Sequence, residues 1–123
     1  MILAEGNMTH YFEIEIYQTS LGKEPFNQWL EGLDKGALAR IDARLTRIER
    51  NGNFGDCEPV GEGVFEIKFD FGPGYRIYFG YKTNTNLILL LGGYKKGQQK
   101  NIDKAKEYWH EYLSQRKGKN AKT

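Results

Sequence analysis

Positively charged side chains recur in or beside three apolar segments of this 123-residue chain. Arg76 lies within Tyr75–Phe79, Lys68 belongs to the segment before it, and Lys95–Lys96 follow the run Leu87–Leu91. A guanidinium group is planar, always charged and able to bind phosphate through two parallel hydrogen bonds. If the three segments are neighbouring strands, their cations are held close together, and such an arrangement predicts a bound polyanion.

The strands themselves are predicted from the spacing of apolar residues. Residues 65–70 and 75–81 alternate between apolar and polar side chains, which is the strand period. In that register Lys68, Arg76 and Tyr78 share an outer face, opposite the apolar side chains that pack on helices. Residues 87–91 are apolar without alternation, which predicts a central strand covered on both sides.

The remaining elements complete a fold prediction. Alternation in residues 11–17 predicts a first strand, and two amphipathic helices follow, one beginning near Pro25 and one capped by Asp34. A polar loop then runs to Gly63, and Asn101 is a plausible N-cap for a last helix. The order β-α-α-β-β-β-α predicts an α+β domain. Its sheet is small, curved and mostly antiparallel, with two N-terminal helices on one face and a C-terminal helix.

Length and composition limit the alternatives. We predict one domain over residues 11–114, a disordered N-terminal extension at 1–10, with Met8 as an alternative start, and a flexible basic tail at 115–123. No signal peptide is apparent, and no apolar run approaches the roughly 20 residues of a membrane span. The single cysteine, Cys57, favours a cytoplasmic location. One cysteine and no histidine near the sheet argue against a metal site, so we expect no cofactor.

The net charge of +2 conceals an uneven distribution. Residues 1–63 carry 6 Lys+Arg against 11 Asp+Glu, whereas residues 64–106 carry 8 against 3. Basic character is therefore concentrated in the predicted sheet and the start of the last helix. This asymmetry indicates a nucleic-acid or phosphate-binding face, although a local excess of charge in a small domain also serves solubility alone.

From Gly63 onward the chain resembles the RelE/ParE toxin superfamily, especially its HigB-like addiction-module killer branch. The matching segments are Val64–Lys68, Phe71–Phe79, Leu89–Gly93, Lys95 with Gln98, and Ile102–Ala105. The Gly-Pro-Gly-Tyr-Arg turn is the most specific of these signals, and the order of elements agrees over nearly the whole chain. The sequence departs from the branch at Tyr94, where an aspartate is usual, and at Asn101.

The resemblance implies the toxin of a type II toxin–antitoxin module. HigB and RelE members resemble metal-free ribonucleases that cut messenger RNA on the ribosome, which inhibits translation. The implied partner is a helix-turn-helix antitoxin encoded by a neighbouring gene, and operator DNA would be bound only through it. Because ParE members share the fold but poison DNA gyrase, a non-enzymatic gyrase inhibitor or an inactive RNA-binding relative is the alternative. A third possibility is that the domain acts mainly as half of a repressor complex.

Metal-free RNA cleavage needs a base for the 2′-hydroxyl, cations for the phosphorane and an acid for the leaving 5′-oxygen. Arg76 suits the second task. We expect Lys68 and Lys95 to converge on the same phosphate, where crowding of cations would lower the pKa of a lysine and let it act as base or acid. Tyr94 is a further candidate, as a proton donor or a surface on which a base stacks.

The predicted nucleic-acid contacts lie around these catalytic candidates: Lys96, Tyr78 for base stacking, and Arg40, Arg44 and Arg47, which share one side of the second helix at i, i+4 and i+7. Each has a structural alternative. The arginines could form a solvated helix face, the tyrosines could be packing residues, and Lys68 lies between Glu66 and Asp70, either of which could pair with it.

Overall fold

The computed structural model describes residues 11–121, with side chains described as far as Arg116. The strands are β1 (Glu13–Ile16), β2 (Cys57–Gly61), β3 (Val64–Lys68), β4 (Tyr75–Thr83) and β5 (Asn86–Tyr94), and the helices are α1 (Pro25–Glu31), α2 (Lys35–Asn51) and α3 (Gln98–Ala121). The predicted α+β class is confirmed. Within residues 11–121, no helix has the length and apolar character needed to cross a bilayer.

The sheet has five strands in the order β1-β5-β4-β3-β2. β1 runs parallel to β5, and the other three pairs are antiparallel. The residues of β2 were predicted to be loop, so the predicted element order is one strand short. Pro59 and several glycines obscured the strand signal, and an edge strand is a place in a sheet where a proline is tolerated.

Apolar side chains cover both faces of the sheet. One core lies under α1 and α2 and includes Phe26, Ile41, Ile77 and Phe79. A second core lies under α3 and contains, among others, Tyr17, Val64, Tyr78, Ile88, Leu90, Ile102, Ala105 and Trp109. The face predicted to be open for Lys68, Arg76 and Tyr78 is therefore partly covered by α3, and only its end remains accessible.

Helix boundaries agree with the sequence at α2 and differ at α3. Asp34 caps α2, where its side chain accepts a hydrogen bond from the Ala37 amide at 2.8 Å. The last helix begins at Gln98, three residues before the predicted cap Asn101, and it continues to Ala121 through most of the segment predicted to be a flexible tail. The predicted N-terminal extension 1–10 and residues 122–123 lie outside the described residues.

Three glycines in the central strands let helices approach the backbone closely. A Cβ atom on Gly92 would lie 2.0 Å from Trp29 of α1, and one on Gly80 would lie 2.7 Å from Trp109 of α3. On Gly93, which pairs with Arg76, a Cβ would lie 2.2 Å from the Asn101 side-chain amide. Gly92 and Gly93 thus have a packing role on opposite faces of β5.

Gly92→Ala should destabilise the fold, because Trp29 has to move to admit the methyl group. We expect a loss of at least about 3 kcal/mol in the free energy of unfolding, at the upper end of overpacking costs. Urea unfolding measures this loss. Gly36→Ala is the control, since its Cβ would meet Asp34 at 3.4 Å. Placed within α2, this alanine should leave stability unchanged or raise it by about 0.5–1 kcal/mol. Equal stability of the two variants would contradict the packing role of Gly92.

Candidate nucleic-acid interface

Three of the predicted site residues meet where β3 ends, β4 begins and β5 ends. Lys68 pairs with Arg76 across the β3–β4 register, and Lys95 follows β5 directly. All three line a cleft of about 300 Å³ beside the turn of residues 71–74, and we call this the cationic cleft. The sequence grouped these cations from strand register and resemblance, and the structure places them around one cavity.

Arg76 is held by backbone carbonyl groups of its own hairpin. Its Nη1 donates hydrogen bonds to the carbonyl oxygens of Phe69 at 3.3 Å and Tyr75 at 3.0 Å. The residue is only 8% exposed, so its side chain has little freedom. A guanidinium group has five N–H donors, and these two bonds leave most of its donors for other acceptors. Arg76 is thus oriented at the cleft before any ligand arrives.

A buried carboxylate lies behind Arg76. Glu66 is fully buried, and its Oε2 accepts hydrogen bonds from the Tyr78 hydroxyl at 2.8 Å and the Gln98 amide at 2.7 Å. The same oxygen lies 4.0 Å from Nε of Arg76. Among the described residues, neither Glu66 Oε1 nor Arg76 Nε has a hydrogen-bond partner. The pair therefore balances charge across a gap wider than a hydrogen bond.

Tyr78 belongs to this buried network and to the core under α3. Burial, and then its hydrogen bond to Glu66, raise the pKa of the Tyr78 phenol above its ordinary value. The phenol stays protonated and donates to Glu66. A fully buried ring presents no face on which a base could stack, so the placement of Tyr78 on an open outer surface was wrong.

Lys68 forms an ion pair, but with neither of the two carboxylates that the sequence suggested. Its Nζ lies 2.9 Å from Glu58 Oε1, on the edge strand β2 that was predicted as loop. This hydrogen bond raises the pKa of Lys68, whereas crowding by cations was expected to lower a lysine pKa in the cleft. Lys68 is therefore a protonated cation at neutral pH, which suits it to electrostatic or acid roles and not to that of a base.

Lys95 is the most accessible of the three cations. Its side chain is exposed, and no carboxylate among residues 11–121 lies within ion-pair distance of it. The backbone is fixed nearby, because the Lys95 amide donates to the Gly74 carbonyl at 2.8 Å. A Cβ on Gly74 would lie 3.0 Å from Cβ of Lys95, so the turn packs directly against this residue.

Two carboxylates that the sequence analysis did not assign to the site also line the cationic cleft. Asp56 precedes β2, and Asp70 follows β3, and both are exposed. The alternation of Glu66, Lys68 and Asp70 on one side of a strand was a usable signal for Asp70. No sequence signal indicated Asp56, because the strand that follows it, β2, was not predicted. The cleft therefore offers carboxylate acceptors beside cationic donors.

Tyr94 and Lys96 lie around the corner from this cleft. Together with Tyr75, Pro73 and Asp34 they line a second cavity of about 480 Å³, which we call the tyrosine pocket. Tyr94 pairs with Tyr75 in the β4–β5 register and packs on the α1 side of the sheet. The prediction grouped Tyr94 with Arg76, but the structure separates the two into neighbouring cavities.

The three arginines of α2 line a third hollow of about 220 Å³ with Phe69, Asp70 and Phe71. Arg44 stacks on Phe69 at 4.3 Å and donates to the carbonyl oxygens of Phe54 and Lys68 at 3.3 and 3.1 Å. Its burial, followed by the charge of Arg47, lowers the pKa of its guanidinium. Arg44 thus ties α2 to β3, whereas Arg40, which lies over the Phe71 ring at 4.4 Å, and Arg47 are exposed.

The described part of the chain shows no arrangement of side chains suited to ligating a metal ion. No group of three or more His, Cys, Asp or Glu side chains within residues 11–121 is placed to hold an ion. His110 lies on the α3 side, where its Nε2 is 2.9 Å from Glu62.

A comparison of the sequence with known protein families identifies one that covers most of the chain. Residues 28–110 match the family of phage-derived Gp49-like proteins (DUF891). The chain belongs to this family, which is a RelE-like toxin family associated with toxin–antitoxin modules, and membership suggests an antitoxin partner.

The chain is also similar to an uncharacterized protein of Haemophilus influenzae. The two are 44% identical over 82 residues, which is 66% of this chain and 82% of the relative. No solved structure matches the chain.

Removing the carboxylate partner of Lys68 should change its titration. In Glu58→Gln, the pKa of Lys68 should fall toward its ordinary value of about 10.4. In the unaltered protein the raised pKa means that the pair stabilises the fold at neutral pH and that this contribution is lost as pH rises through the Lys68 pKa. NMR titration of lysine side chains measures the pKa. Glu62→Gln is the control, because Glu62 pairs with Lys106 and His110 instead. An unchanged Lys68 pKa in Glu58→Gln would contradict the assigned pair.

Proposed function

We propose that this chain is the HigB-like toxin of a type II toxin–antitoxin module and that it cuts messenger RNA on the ribosome without a metal ion. The observation that carries the proposal is the convergence of Lys68, Arg76 and Lys95 on one cleft, together with membership in a RelE-like toxin family. Three cations from separate segments around a single cavity suit one phosphodiester group.

The groups of the cleft divide naturally among the steps of such a reaction. A carboxylate of Asp56 or Asp70 takes the proton from the 2′-hydroxyl, and the 2′-oxygen attacks phosphorus. Arg76 and Lys95 stabilise the negative charge that develops on the phosphorane oxygens. The bond from phosphorus to the 5′-oxygen then breaks, and protonated Lys68 donates the proton to that oxygen. The products are a 2′,3′-cyclic phosphate and a 5′-hydroxyl end.

The proposed toxin function also implies the partners. A helix-turn-helix antitoxin from a neighbouring gene would silence the toxin, and operator DNA would be bound only through that antitoxin. The substrate would be messenger RNA in the ribosomal decoding site, which places the activity in the cytoplasm. Arg40 and Arg47, both exposed on α2, are candidates for contacts with ribosomal RNA phosphates.

Lys95→Gln should lower RNA cleavage by about 100-fold, the loss typical of removing one charge-stabilising donor. The fold should survive, because the Lys95 side chain is exposed. Inducible expression with mapping of RNA ends measures cleavage, and circular dichroism measures folding. Lys82→Gln is the matched control, since Lys82 is another sheet lysine but pairs with Glu15 at 3.2 Å, outside the cleft. Full cleavage by Lys95→Gln would refute the proposed role of the cleft.

A second candidate is a non-enzymatic protein, either a ParE-like gyrase inhibitor or an inactive RNA-binding relative. It is favoured by the carboxylates that face two of the three cations, Glu58 beside Lys68 and Glu66 beside Arg76. A supercoiling assay with purified gyrase separates the candidates. The nuclease proposal expects uninhibited gyrase and newly formed RNA ends, whereas gyrase inhibition without RNA cleavage would establish the alternative.

A further inference from the structure

The side chain of Gln98 joins two parts of the cationic cleft that come from strands separated by β4. Gln98 is the first residue of α3, and its backbone amide donates to the Lys95 carbonyl at 3.3 Å. Its side-chain amide donates to Glu66 Oε2 at 2.7 Å. Gln98 therefore contacts both the turn that carries Lys95 and the carboxylate that lies behind Arg76.

Both donors to Glu66 converge on the same carboxylate oxygen. The Tyr78 hydroxyl and the Gln98 amide bind Oε2, and this oxygen lies 4.0 Å from Arg76 Nε, beyond hydrogen-bond distance. Glu66 Oε1 and Arg76 Nε have no hydrogen-bond partner among the described residues. The carboxylate and the guanidinium are thus near neighbours that do not make the direct hydrogen bond usual for a buried ion pair.

A carboxylate that lost a neutral donor would turn to the nearest charged one. Hydrogen bonds between arginine and a carboxylate are roughly twice as strong as those between neutral groups. From 4.0 Å, a shift of about 1 Å would bring Glu66 into hydrogen-bond distance of Arg76 Nε. The guanidinium would then be drawn away from the carbonyls of Phe69 and Tyr75, and a phosphate in the cleft would meet a neutralised and poorly oriented partner.

We propose that Gln98 is a positioning residue, which keeps Glu66 from closing on Arg76 and so keeps the guanidinium available to a phosphodiester in the cationic cleft. The inference rests on the proposed nuclease function and adds to it a residue that acts only through Glu66. Tyr78, the other donor, is fully buried and also belongs to the core under α3. Gln98 is only half-buried, so its side chain can be changed with less effect on packing.

Binding of dimethyl phosphate tests this role without any need for RNA cleavage. This probe is a phosphodiester monoanion whose charge is unaffected by pH near neutrality, and NMR of the Arg76 Nε–H group follows its binding. In Gln98→Ala the dissociation constant should rise about ten-fold, as expected when one hydrogen bond to a charged group is lost. Gln99→Ala is the matched control, because Gln99 also donates its amide to a carboxylate, that of Asp103 at 2.9 Å, but on the exposed surface of α3. It should bind the probe like the unaltered protein.

Gln98→Glu distinguishes a positioning role from a packing role, because it keeps the shape of the side chain and changes only its hydrogen-bonding groups. Two adjacent carboxyl groups share one proton, which raises the pKa of the pair. Below that pKa the shared proton restores a hydrogen bond to Glu66, so the probe should bind as it does to the unaltered protein. As pH rises through that pKa the second negative charge appears, and binding should weaken about ten-fold, as in Gln98→Ala.

Gln99→Glu is the control for this pH profile, because it adds the same charge one residue away from Gln98. Its binding of the probe should not change with pH in this way. The other titratable groups around Glu66 are the same in every variant: Arg76 and Tyr78 on β4, Glu58 opposite it on β2, and Lys68 on its own strand.

Cleavage of messenger RNA on purified ribosomes supplies the second measurement. Gln98→Ala should lower kcat about ten-fold, because a poorly oriented guanidinium stabilises the phosphorane less well. Gln98→Glu should lose activity only above the pKa of its carboxyl pair, whereas Gln99→Ala should keep full activity.

The outcomes separate the inference from the function on which it rests. If the unaltered protein binds the probe at Arg76 but forms no new RNA ends, the nuclease proposal fails, and the variants still decide whether Gln98 controls phosphodiester binding. Unchanged probe binding in Gln98→Ala, an equal loss in Gln99→Ala, or a response of Gln98→Glu that does not depend on pH would each refute the positioning role. An Arg76 signal that does not respond to the probe in the unaltered protein would refute it as well.

Discussion

The negative charge of Glu66 inside the sheet is the constraint on which the rest of this structure depends. A buried carboxylate is tolerated only with hydrogen-bond donors and a compensating cation, and here they come from β4 and from the first turn of α3. Removing one member of such a group leaves an uncompensated buried charge. The resulting loss of stability is much larger than the net stabilisation that the intact group provides. Arg76 is therefore part of the fold as well as of the cleft, and changes to it act on both.

Charge in the cleft is organised in layers. Behind the cavity, Glu66 balances Arg76, and at its side Glu58 balances Lys68, whereas Lys95 at the mouth stands without a carboxylate partner among the described residues. The attraction that a distant phosphate experiences is thus modest, in keeping with a net charge of +2. At contact distance the carbonyl-held guanidinium dominates, because its donors are fixed in direction and shielded from water. For the proposed RNA substrate, this layering favours recognition of one phosphate over nonspecific binding of any polyanion.

Local patterns predicted much of this arrangement, and non-local pairing accounts for what they missed. The alternation in residues 65–69 and 75–79 correctly placed Lys68 beside Arg76, and Asp34 was recognised as a cap from its type and position. β2 was missed because Pro59 and Gly61 interrupt the strand pattern of a five-residue segment, and its pairing with β3 cannot be seen in the local sequence. The same omission hid Glu58, and so the raised pKa of Lys68 was not predicted. Tyr78 was misplaced because nothing near it in the sequence indicates that α3 returns to cover its face.

The parallel pairing of β1 with β5 has a consequence for how the protein is made. The side chains of Glu13 and Asn86, which join these strands, are 73 positions apart in the sequence. The sheet therefore cannot be completed by contacts between residues that are close in sequence. Lys95 and Gln98 emerge later still. During translation β1 therefore waits for β5, and the groups around Arg76 can assemble only after α3 has been synthesised. The cleft is therefore assembled from groups on four elements, β3, β4, β5 and α3, and it is complete only once all four have folded together.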